Sequence, residues 1–278
     1  MDTMHHTTPA TARRLFPLVG TIHEVAYSGR PYEEFVALGA RNYWDYYFAG
    51  RAAPLGQAPA EVVHAAFYNF GPGEVARHIP HVWTLMTPAQ ALAARERGCT
   101  AALRGALGDL ADSDNVVRAG ELAERAAYAA PTEGRVLYAG LRALDPPEEP
   151  VARLWHALTL LREHRGDGHI AALVAEGVGG LESHMLLAID WGMQPEEFGR
   201  IHHLPKPLLA EVRRGLQDRG LVTEAATFTD EGRATKDRVE ALTDALAAPA
   251  YDVLSGNEVE ELITLLEPLA AAVTAADL

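Results

Sequence analysis

The chain has 278 residues, 48% of them hydrophobic and 22% charged, with a formal net charge of −14. A chain of this size buries a substantial core and has room for two domains of ordinary size, while its acidity repels nucleic acid and anionic membranes, so any DNA contact must come from a local basic patch. The single cysteine, Cys99, excludes an internal disulfide and a cysteine-rich zinc site. Neither an apolar run of about 20 residues nor the pattern of a signal peptide is seen, so the expected location is the cytoplasm, with no membrane partner.

Residues 1–11 include His5 and His6, show no apolar periodicity, and are expected to form a loose arm. From Ala12 onward Leu15, Leu18, Val19, Ile22 and Val25 share one helical stripe, which Ser28-Gly29-Arg30-Pro31 stops. A second helix is predicted over 32–38. Arg41 to Phe48 then holds five aromatic rings in eight residues. These are too many for one helix face, so the segment is expected either to thicken a helix interface or to line a pocket with tyrosine hydroxyls. Pro59 suits the first turn of a helix running to Asn69. Gly71-Pro72-Gly73 ends that helix, a short one begins at Glu74, and further helices are predicted over 89–107, 116–130 and 134–144. Three prolines among acids in Asp145 to Pro150 are read as a linker at 146–150, between a helical domain of residues 12–145 and a second domain of residues 151–248.

An apolar helix over 151–163 runs into the densest ionisable group of the chain, Arg162, Glu163, His164, Arg165, Asp167 and His169. Gly166 and Gly168 are expected to break the helix, and Asp167 to cap the next one at His169. One reading is a capped helix corner. The other is a polar pocket in which Arg162 or Arg165 clamps a carboxylate or phosphate while His164 or His169 moves a proton. His64, Tyr68 and Asn69 of the first half, with His184, are the candidates to complete it. The economy of burying polar groups places the stretch against Tyr68, Asn69 or the helix carrying Tyr43 to Phe48. His164, Asp167 and His169 with Glu182 or His184 could ligate zinc or iron, but their spacing matches no metal motif; no metal is assigned and no cofactor is named.

Further on, glycines at 177, 179 and 180 precede a helix over 181–190, Pro195 opens another, and a longer helix over about 206–219 ends in Arg219-Gly220-Leu221-Val222. Gly220 reads as a left-handed helix cap, and Thr229 or Asp230 as the cap of the last helix. In this order Leu208, Val212, Leu216, Arg219, Gly220, Leu221, Val222, Phe228, Thr229, Gly232, Arg233, Val239 and Leu246 resemble the winged-helix domain of MarR-type regulators, over about residues 195–248. The resemblance implies a two-stranded wing between Leu221 and Thr229. Through Arg51 to Gly56, Phe67 to Phe70 and Arg162 to His169, the whole chain also resembles an actinobacterial helix-turn-helix family related to those regulators, which implies a fold and not a reaction. The segment 62–70 parallels 183–190, each with a histidine near its start followed by a break and an acidic helix start.

The expected architecture is therefore mainly α: a two-domain helical protein with a C-terminal winged helix and small β-wing, an N-terminal half that is helical or a degenerate second winged helix, and a helical tail over 249–278. From Tyr251 that tail carries six acids and no bases, which suits a partner helix or a second subunit rather than DNA. Lys206, Arg213 and Arg214 are the candidate phosphate contacts. Residues 195–248 hold eight Lys or Arg against ten Asp or Glu, and the wing segment 224–227 has no arginine, so charge supports DNA reading weakly. The function read from this is a small-molecule-binding winged-helix protein acting as a ligand-responsive transcriptional regulator, either a monomeric pseudo-dimer or a homodimer. The alternative is an enzyme or metabolite-sequestering protein that uses the 164–169 stretch and has lost DNA binding.

Overall fold

The Thr8 hydroxyl accepts the Thr11 N–H at 3.3 Å and Pro9 occupies the first turn, so the first helix starts within the segment expected to be an arm. The structure, a computed structural model, describes residues 7–277; positions 1–6 of that arm lie outside the described residues. The helices in order are α1 (Pro9–His23), α2 (Gly29–Ala37), α3 (Tyr43–Ala52), α4 (Ala60–Phe67), α5 (Val82–Leu85), α6 (Pro88–Leu107), α7 (Asp114–Ala129), α8 (Val136–Arg142), α9 (Pro150–Ala175), α10 (Gly180–Asp190), α11 (Lys206–Asp218), α12 (Asp230–Ala247) and α13 (Gly256–Ala275). Their starts follow local chemistry. Thr87 with Gln90 and Ser255 with Glu258 form reciprocal caps at α6 and α13, and Thr229 accepts the Gly232 N–H at 3.0 Å to cap α12. The protein is mainly α-helical, as the apolar periodicity predicts.

Two expectations are corrected. Among the described residues no β-strand forms: the wing is a tight turn closed by one antiparallel bridge between Val222 and Phe228. Thr223 and Thr227 bond across the turn at 2.9 Å, and Ala226 at φ 54° reverses the chain, leaving too few residues for two strands. Gly220 at φ 68° does cap α11.

The second correction concerns α9. Gly166 and Gly168 do not break it; the helix continues through both to Ala175. Two interior glycines cost about 1 kcal/mol each relative to alanine, less than the burial of Leu154, Leu158, Leu161 and Leu173 along the same helix contributes. Asp167 therefore caps no downstream helix. Its carboxylate instead accepts the Tyr138 N–H at 3.0 Å, in the first turn of α8. Gly168 admits a neighbour: Arg135 lies over it, donating to the His164 carbonyl at 2.7 Å and to the Leu246 carbonyl at 2.9 Å, and a Cβ at 168 would overlap the guanidinium.

Three apolar clusters hold these elements. The first joins α1, α6, α7, α9 and α13 through residues such as Leu15, Leu103, Leu122, Leu158 and Leu266. The second packs Phe35, Phe48, Phe67 and Ile79 against α6. The third joins Leu173 at the end of α9 to Met185, Leu209, Leu216 and Val239. The first cluster draws on both sides of the expected linker at 146–150. Pro150 starts α9 directly, and Glu149 caps it by accepting the Ala152 N–H at 2.6 Å. Among the described residues no single helix is long and apolar enough to cross a membrane.

The two glycines of α9 should respond oppositely to alanine. Gly168→Ala is expected to lower stability by about 1–3 kcal/mol through overpacking against Arg135. Gly166→Ala, whose Cβ would meet Glu163 Oε2 at an ordinary 3.6 Å, is expected to raise it by about 0.5–1 kcal/mol. Urea unfolding midpoints of the two variants check both signs.

Candidate functional site

Because α9 is continuous, its polar residues fan out around the helix axis instead of converging at a corner. Arg165 and His169 turn to α12. Arg165 donates to Asp244 at 2.9 Å and stacks over the Phe16 ring at 3.9 Å, and His169 Nδ1 lies 3.0 Å from the Thr243 hydroxyl. His164 and Asp167 turn to α8, where the His164 ring meets Tyr138 edge-on at 5.0 Å. Arg162 and Glu163 turn to α3. Tyr68 and Asn69 go elsewhere: the Tyr68 hydroxyl donates to the Val178 carbonyl at 2.6 Å, and Asn69 Nδ2 lies 3.2 Å from His184 Nε2. These two thus dock the end of α4 onto α10. His64 is half-buried on α4. Among the described residues no three His, Cys, Asp or Glu side chains gather to hold a metal ion.

Phe16, Arg162, His164, Arg165 and Tyr251 help line a shallow recess that encloses only about 10 Å³. That is room for about one water molecule, far below the roughly 300–1,000 Å³ of pockets that enclose drug-sized ligands.

The strongest ionic centre of this layer is Glu163, which the sequence places in the dense group but does not single out. Glu163 is 1% exposed and takes Arg51 in a fork, Nη2 at 3.2 Å and Nε at 3.3 Å, with Arg162 at 2.8 Å on the other side. Arg51 also donates to the Tyr47 hydroxyl at 2.9 Å and stacks over Phe67 at 4.5 Å. A glutamate within the apolar run 151–163 was the available signal. Its partner 112 positions away was not.

Burial pushes the Glu163 carboxyl up, but the charges of Arg162 and Arg51 outweigh it and hold the group well below the usual carboxylate range. Asp167 has weaker partners, and burial pushes it up to about 6. Burial, with Arg135, Arg95 and Arg200 as respective neighbours, lowers His164, His156 and His184 to about 4.

The α11 face forms a second region. Lys206 and Arg214 are exposed there, with no ion-pair partner among the described residues. Arg213 is committed: it pairs with Glu196 at 3.0 Å and donates to the Glu224 carbonyl at 2.6 Å, tying the wing turn to the single 3-10 turn Pro195–Glu197 that precedes α11. Glu74 pairs with His203 at 2.5 Å, so the first half also grips the loop entering α11.

The shifted groups set the acid response. Neutral in the fold and protonated when unfolded, His156, His164 and His184 each contribute stability that is lost as pH falls from 6.5 toward about 4, on the order of 3 kcal/mol apiece at most. Asp167 opposes them. Its folded value of about 6 exceeds the ordinary 3.8, so the folded state takes the proton first and gains stability as pH falls through that window. Asp167→Asn should therefore lose stability more steeply than wild type between pH 6 and 4, and His164→Gln less steeply. Equal slopes in pH-dependent urea unfolding would contradict this assignment.

No curated protein and no solved structure matches the chain. A family model described as a helix-turn-helix family matches residues 12–278. That span takes in the polar layer of α9 and the α10 to α12 unit together, and the chain belongs to this helix-turn-helix family.

Proposed function

We propose that the protein is a DNA-binding transcriptional regulator on a MarR-like winged-helix scaffold, and that its DNA affinity responds to a small molecule. The observation that carries this reading is α11: in a chain of helix-turn-helix family, an exposed helix carries Lys206 in its first turn and Arg214 about 12 Å along its axis, neither engaged by an acid among the described residues. Both are free to meet phosphates. Arg213 in this reading positions the wing turn and does not reach DNA. The net charge of −14 keeps sequence-independent binding low, so retention should be seen at low salt first.

Responsiveness is supported by the path of α9. Glu163, among three elements of the polar layer, and Leu173, in the cluster under α10 and α11, sit on one rigid helix about 15 Å apart. A ligand that repacks the layer therefore has a continuous element through which to bias the position of α11. Arg162, His164 and Arg165 at the recess beside α1 remain ligand contacts in this reading. Subunit number follows from operator symmetry: a homodimer spans two half-sites, and a monomeric pseudo-dimer spans one asymmetric site.

A gel-shift titration against the DNA upstream of the protein's own gene tests this. Retention at low salt is expected, with Lys206→Ala and Arg214→Ala each weakening it and each lowering the slope of log affinity against log salt by about 0.9. Failure to retain DNA at the lowest salt by a folded protein would sink the regulator reading in favour of an enzyme or sequestering protein.

A further inference from the structure

We infer that the DNA-contacting surface extends beyond α11 into the first half of the chain, where Arg77, together with Arg200 after α10, supplies further phosphate contacts. Among the described residues, the exposed arginines and lysines that make neither an ion pair nor a hydrogen bond are Arg77, Arg200, Lys206, Arg214 and Arg233. All but Arg77 belong to the stretch from α10 to α12. Elsewhere an exposed arginine meets an acid, as Arg14 and Arg97 do, or a backbone carbonyl, as Arg142 does. One solvated guanidinium without a partner signals nothing, since water satisfies it. The signal is that, in a chain of net charge −14, the unpartnered cations gather at one end of the molecule.

The fold brings Arg77 to that end. The loop after α4 packs on the segment that enters α11: Glu74 pairs with His203 at 2.5 Å, the Trp44 and His203 rings lie 6.2 Å apart, and a Cβ at Gly71 would come to 3.0 Å from the Leu204 side chain. Arg77 closes the 3-10 turn Val75–Arg77, its N–H donating to the Glu74 carbonyl at 3.2 Å. Side chains three apart in such a turn eclipse, so Arg77 leaves the same face as Glu74, the face turned toward His203. Lys206 lies three residues beyond His203. Three residues span at most about 11 Å on either side of the contact, which holds the two cations within one turn of duplex, about 34 Å. The Arg200 charge is felt by both His184 on α10 and Tyr43 on α3, so it too stands where the two halves meet.

The wing does not flank α11 with positive charge. Residues 223–227 carry Glu224 and no arginine or lysine, and Arg213 is held by Glu196 and the wing backbone. Phosphate contacts fix the register of a protein on its duplex and come from beside an inserted helix as well as from the helix itself. Arg77 and Arg200 supply them from the side of the loop that enters α11. Glu197 and Glu211 are exposed acids of the same stretch, but neither pairs with Arg77 or Arg200, and Glu211 stands about 140° round α11 from Lys206. The inference rests on the regulator reading and enlarges its contact surface.

Anisotropy titration of the full chain against a fluorescein-labelled duplex, taken from the DNA upstream of its own gene, tests the inference over about 50–200 mM salt. Arg77→Ala and Arg200→Ala should each lower the slope of log affinity against log salt by about 0.9, and weaken binding about five- to tenfold at about 100 mM. Arg77→Lys keeps the charge and should keep the slope. Arg97→Ala removes an equal charge from an arginine already paired with Glu34 and should leave the slope unchanged, which separates contact from net charge. Circular dichroism establishes that the variants fold; if Arg77→Ala does not, Arg77→Gln decides in the same way. A wild-type slope in either alanine variant, or lost affinity at an unchanged slope, overturns the inference. Where Lys206→Ala still lowers the slope in that event, the regulator reading stands without it. A folded wild type that retains no duplex at the lowest salt removes the reading and the inference together.

Discussion

A helix buried on every side has no solvent-facing stripe for its charged residues, and α9 is such a helix, with 17 of its 26 residues buried. Each ionisable group on it must find a partner on a neighbour or lose its charge. Glu163 finds Arg51 on α3, Arg165 finds Asp244 on α12, and Asp167 finds the N-terminal turn of α8. Apolar packing alone would let these three elements slide or rotate against α9. The pairings make their register specific, because a displaced neighbour would leave a buried charge unmatched, a penalty of about 3–5 kcal/mol.

The same helix connects two regions of opposite character. Around its middle, arginines outnumber acids in a buried layer walled by tyrosines; near its end, Ala172 and Leu173 enter the cluster that supports α10 and α11. The loop after α4 reinforces the connection from outside. Tyr68 and Asn69 hold the start of α10, and Glu74 holds His203 just before α11. The orientation of α11 is thus fixed by the first half of the chain as well as by its own neighbours. The reduced wing fits this scheme, since Arg213 pairs with Glu196 and the wing backbone, while Lys206 and Arg214 on α11 have no ion-pair partner among the described residues.

What the sequence by itself determined are the features set within a few residues of chain. Apolar spacing located most of the helices, though not α5, and divided α9 in two; Thr229 announced a helix start and Gly220 a helix end, and the density of charge from Arg162 to His169 marked a segment under unusual constraint. The tertiary structure alone decided whether Gly166 and Gly168 end a helix. Their local preference is worth about 1 kcal/mol each, and burial by elements far along the chain exceeds it. It also decided where each polar side chain of α9 points and which partner it meets, as with Arg51 and Glu163, 112 positions apart, and it set Arg95 over the Trp155 ring. Such pairings depend on which helix faces come together in space, and a spacing pattern along one segment carries no record of that.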